Sequence, residues 1–74
     1  MNRYTLANGT EIQTVEPIAD VAKGTAAECD KAEDYADNEG GWNEYIDPSA
    51  TTPFDSISRD ERVALALSVI VSNR

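Results

Sequence analysis

At 74 residues the chain has room for one hydrophobic core, and its 41% apolar content is enough to build it, which excludes wholesale disorder. Fourteen acids against six bases give a formal net charge of −8. That balance disfavours direct binding to DNA, RNA or an anionic membrane, all of which would repel the chain, and it points to basic protein surfaces as partners.

The predicted elements make an α+β fold, a single domain over 1–74 in which an N-terminal β-hairpin packs against two or three helices. Asn8-Gly9, between RYTL and TEIQTV, is a strong turn signal. A two-residue loop would put Ile12 on the opposite face from Tyr4 and Leu6. A three-residue loop, Ala7 to Gly9 with Gly9 left-handed, pairs Tyr4 with Ile12 and gathers all three on one face, so that register is expected. Pro17 suits the first turn of a short helix to Lys23, and Gly24 suits its end. Thr25 and Glu28 match a capping box, so a second helix should start near Ala26 and stop before Gly40-Gly41. The alternative is one helix kinked through Gly24.

After the glycines, Trp42, Tyr45 and Ile46 could share one face of a helical turn. DPSATTPFDSI then reads as a loop. Ser58 and Glu61 match a second capping box, opening a helix from about Arg59 to Ser72. That helix is apolar around most of its circumference, so it either centres the core or leaves a stripe for a dimer.

The charge is concentrated. Glu28, Asp30, Glu33, Asp34, Asp37, Glu39, Glu44 and Asp47 stand against one base, Lys31, which leaves −7 in that segment and −1 in the rest of the chain. On the second helix Asp30, Glu33, Asp34 and Asp37 fall at i, i+3, i+4 and i+7, one carboxylate-lined face, with Cys29, Ala32, Tyr35 and Ala36 roughly opposite. Neighbouring carboxylates on such a face lie ~5–6 Å apart, broadly the spacing of successive phosphates along a strand. The same pattern also suits a solvated face with no partner.

Metal binding and catalysis find less support. No register of the acidic run places acids, a glycine and a glutamate where a calcium-binding loop needs them. There is no histidine, and no base stands beside a serine or threonine in a recognisable motif. Cys29, the only thiol, belongs on the apolar face of its helix and excludes an intrachain disulfide. We expect a non-enzyme with no cofactor and no metal. With no apolar leader, and VALALSVIV far short of the ~20 residues that span a bilayer, a soluble protein of the bacterial cytoplasm is expected. Among the aromatics Tyr35, Trp42 and Tyr45, Trp42 on a turn after two glycines is the first choice for an interface residue.

A small, acidic, histidine-free chain with a hairpin and a carboxylate-lined helix resembles the small phage-encoded anti-CRISPR proteins of the DNA-mimic type. The resemblance rests on size, charge and the segment Glu28 to Asp47. It implies a non-catalytic inhibitor occupying the basic DNA-binding surface of a CRISPR effector subunit or a related nucleic-acid-binding protein. Asp30, Glu33, Asp34 and Asp37 would face the lysines and arginines that hold DNA, with Glu39, Trp42, Glu44 and Asp47 extending the contact. The alternative is a structural or regulatory interaction protein dimerising through its apolar C-terminal helix, the acids being only a solubilising face; a monomer or a homodimer is expected.

Overall fold

Strands β1 (Asn2–Thr5) and β2 (Glu11–Thr14) pair antiparallel, with Tyr4 opposite Ile12 and Thr5 opposite Glu11. The turn closes through Leu6 N–H donating to Thr10 O (2.8 Å) and Gly9 N–H donating to Leu6 O (2.9 Å), with Gly9 at φ +91°. This is the three-residue loop, and only glycine accepts that backbone without strain. Leu6 and Ile12 are buried and Tyr4 is half-buried on the same face. The Tyr4 hydroxyl accepts from Ile18 N–H at 2.9 Å, tying the hairpin to the chain that follows.

The computed structural model describes all 74 residues. A two-stranded sheet is marginal alone in water, so its apolar face needs the helices. Those are α1 (Ala26–Asp37), α2 (Glu39–Gly41, running into a π-helical turn at Trp42–Ile46) and α3 (Arg59–Ser72), with single 3₁₀ turns at Ala19–Lys23 and Phe54–Ser56. The architecture is α+β. The segment after Pro17 is a 3₁₀ turn rather than an α-helix, and Gly24 is extended (φ −73°, ψ 138°), so it is separate from α1. Gly24 also lies against α3: a Cβ there would stand 2.6 Å from Leu67 Cδ1.

Helix α1 begins with the full capping box. Glu28 N–H donates to Thr25 Oγ1 (3.2 Å), and Thr25 N–H donates to Glu28 Oε1 (2.9 Å). The predicted box at α3 is only half formed. Ser58 Oγ accepts from Glu61 N–H, but the Glu61 carboxylate turns away to accept from Val15 N–H. Asp60 does the same for Gln13 N–H (3.0 Å). In this register the N–H groups of Gln13 and Val15 point away from β1. The two acids in the first turn of α3 supply their acceptors, at a part-buried position for Gln13 and an exposed one for Val15.

Helix α3 centres the core, packing on α1, β2 and the first 3₁₀ turn. Val63, Ala64, Ala66 and Leu67 are buried there with Cys29, Ala32 and Ala36 of α1 and Leu6, Ile12, Val21 and Trp42. Arg62 closes the α1–loop junction: Nε donates to Ala36 O, and Nη1 donates to Phe54 O and Ile57 O, at 2.8–2.9 Å. No helix is long and apolar enough to cross a membrane.

Candidate partner-binding face

Cys29, Ala32 and Ala36 point into the core, which turns Asp30, Glu33, Asp34 and Asp37 outward along α1. Three of these four carboxylates are already engaged within the chain. Asn8, at the tip of the hairpin, donates its amide to Asp30 Oδ1 (2.8 Å) and to Glu33 Oε2, while its Oδ1 accepts from Thr10 N–H (3.1 Å). The Thr10 hydroxyl also donates to Glu33. From the far side Arg59, the first residue of α3, donates Nε and Nη2 to the two oxygens of Asp37 (2.9 and 3.0 Å) and Nη2 to Glu33 Oε1 (3.1 Å).

The stripe is therefore a seam. Carboxylates of α1 hold the hairpin tip on one side and the start of α3 on the other. The bidentate Arg59 contact holds the Asp37 carboxyl below the usual aspartate range. One positive charge now sits among four negative ones, and Glu33 is only 20% exposed. Asp34 alone of the four has no partner within the chain and is exposed, as are Glu39 and Glu44 in the segment that follows. Sequence reasoning missed Asn8, Thr10 and Arg59 as partners of the stripe. Their positions, 22 to 26 residues away from the acids they bind, give no local signal.

Two predicted contact residues are elsewhere. Trp42 is 1% exposed, donating its indole N–H to Thr52 O (3.0 Å) with Phe54 edge-on at 6.5 Å. The expectation of an exposed turn fails because the glycines do not end a helix. The Asn38 side chain accepts from Gly41 N–H (3.1 Å), restarting the helix at Glu39 and carrying Trp42 inward. Asp47, 8% exposed, is likewise turned into the structure, where it organises the loop that follows. Its Oδ1 accepts from Thr51 N–H (3.1 Å) and Thr51 Oγ1 (2.9 Å), and its Oδ2 from Thr52 N–H (2.8 Å). Burial alone would raise its pKa; these hydrogen bonds outweigh that and lower it. Neither residue is available to a partner in this conformation.

The outward carboxylates that remain are Asp30, Asp34, Asp37, Glu39 and Glu44, from two consecutive helical segments. Nowhere do three acidic or thiol side chains converge as a metal ion would need. The arrangement offers charge and hydrogen-bond acceptors at fixed positions, without an enclosed site in which carboxylates could be driven to different pKa values. Comparison with known proteins returns no family model, no curated protein and no solved structure that matches this chain.

Proposed function

We propose that the protein is a non-catalytic inhibitor that binds the basic DNA-binding surface of a nucleic-acid-binding protein, a CRISPR effector subunit being the target that the resemblance suggests. The observation that carries this reading is the pinning of the acidic face. Glu33 and Asp37 are held by Arg59, and Asp30 and Glu33 by Asn8, so carboxylates on α1 have fixed positions before any partner arrives. Preorganised charge spares the side-chain ordering that binding would otherwise cost, about 0.5–1.5 kcal/mol for each long side chain immobilised. Asp34, Glu39 and Glu44 then supply charge that no residue of the chain neutralises. The net charge of −8 steers a basic partner and makes association fall with salt.

The test separates this face from charge in general. Asp34, Glu39 and Glu44 make no side-chain hydrogen bond, and neither do Glu11, Glu16 and Asp55 on other parts of the surface, so Lys at either trio leaves the seam intact. Both triple variants shift net charge equally. Wild-type protein, used as bait in bacterial lysate containing CRISPR and restriction systems, should capture a nucleic-acid-binding protein that duplex DNA displaces. The Asp34/Glu39/Glu44→Lys variant should lose it, and the Glu11/Glu16/Asp55→Lys variant should keep it. Equal loss in both, or no DNA-displaceable capture by wild type, refutes the proposal.

A further inference from the structure

An open groove of about 440 Å³ lies off the acidic face. It is a groove between α1, the π-helical turn and the end of α3, about a third of a turn around α1 from the stripe. Its walls are Tyr35, Tyr45, Ile46, Val69 and Ile70. The π-helical turn shapes it. Asp47 N–H donates to Trp42 O five residues back (2.8 Å), one residue more than an α-helix would allow. In α-helical spacing Trp42, Tyr45 and Ile46 would share a face. Instead Trp42 goes into the core while Tyr45 swings outward onto Tyr35, ring centroids 5.1 Å apart and planes at 28°. Such turns are costly, and they recur where a fold positions a side chain for function.

Tyr45 is 55% exposed, one of few large apolar side chains left so in this protein. Three charged groups stand at the rim. Arg74 and Glu28 neutralise each other at 3.1 Å. Lys31 has no carboxylate partner; its Nζ lies 5.8 Å from the Tyr35 ring centroid. An apolar trough with one unspent cation is complementary to an apolar group beside an anion. A basic segment would meet Lys31 unfavourably at contact distance, where that single cation rather than the net charge decides the fit.

We propose that this groove is a second docking surface, for a protein segment that sets a large apolar side chain next to a carboxylate. The apolar group lies against Tyr45, Val69 and Ile70, and the carboxylate meets Lys31. The protein then carries two interfaces of opposite preference on neighbouring faces of α1: an acidic one for basic partners and this one for acidic, apolar segments. The second does not depend on the first.

The test is an amide and aromatic NMR titration of the full chain with two N-acetylated, C-amidated tetrapeptides, Glu-Leu-Phe-Glu and Lys-Leu-Phe-Lys. The acidic peptide should shift resonances of Lys31, Tyr35, Tyr45 and Ile70 and bind more tightly than the basic one. Tyr45→Ala, at an exposed position, should weaken it about threefold to tenfold. Lys31→Glu should weaken it about fivefold or more and invert the order of the two peptides. Arg3→Glu, an equal change of net charge on the hairpin, should leave the order unchanged. The proposal is overturned if the basic peptide binds as well or better, if the shifts fall outside the groove, or if no shifts appear. It is also overturned if groove resonances move with protein concentration alone, which would make a second copy the occupant. Far-ultraviolet circular dichroism of each variant confirms that the fold survives, so a loss of binding reads as a loss of contact.

Discussion

Replacing Arg59 with Ala removes three charge-assisted hydrogen bonds at once, two to Asp37 and one to Glu33. Asp37 is 55% exposed, so solvent screens its pairing and that share falls well under ~1 kcal/mol. Glu33 is 20% exposed and also binds Asn8 and Thr10, so its contact is screened less. With the packing of the arginine stem, the loss should total ~1–2 kcal/mol. A domain of this length has about 4–11 kcal/mol to lose, and each 1 kcal/mol shifts Tm by about 4–8 °C. Arg59→Ala should therefore melt about 4–16 °C below wild type near pH 7, followed by circular dichroism.

The pH dependence follows from the sign of the Asp37 shift. Its folded pKa is depressed below the ordinary 3.8 by the Arg59 hydrogen bonds. The stability it contributes is complete above that ordinary value and is lost as pH falls through the lower, folded one. The gap between wild type and variant should be widest near neutrality and narrow below about pH 3.8. A variant that melts with wild type at pH 7 would refute the seam and return the stripe to a solvated face. A gap of full size persisting well below that range would assign the loss to packing alone.

Two further substitutions probe the packing that carries this face. Gly24→Ala puts a Cβ at 2.6 Å from Leu67 Cδ1, and Leu67 is fully buried, so the clash should cost ~1–3 kcal/mol in urea unfolding; an unchanged midpoint would show that α3 yields at that point. Trp42→Phe leaves a void and strips Thr52 O of its donor, for a loss of ~2–3 kcal/mol by the same measure, and a neutral result would contradict the burial of the indole.

What could be read from the sequence was what neighbouring residues decide. The hairpin register followed from Asn8-Gly9 and the alternation of Tyr4, Leu6 and Ile12, because a one-residue slip would put Ile12 in solvent. The Thr25–Glu28 box is equally local, two side chains within one helical turn. Glu61 shows where locality ends. Its capping partner is three residues away, yet its carboxylate accepts from the N–H of Val15, just past β2, and only the assembled fold brings that donor near. Trp42 failed for a related reason: two glycines normally end a helix, but the Asn38 cap and the bond from Asp47 N–H to Trp42 O keep the helical path going.

The acidic stripe joins both kinds of information. Its spacing on α1 was evident from i, i+3, i+4 and i+7, and its outward direction followed from the apolar residues between. Its chemistry depends on Asn8 and Arg59, which arrive from both ends of the chain. This alters which substitutions can speak about a partner. Charge reversal at Glu33 or Asp37 would set a lysine against Arg59 or deprive Asn8 of an acceptor, so lost binding would follow from a loosened hairpin and α3 whether or not those carboxylates ever touch another protein. Asp34, Glu39 and Glu44 carry no such structural duty. A partner that reads this surface through its charge must therefore respond to those three, and one that responds only to Glu33 and Asp37 is reporting on the fold.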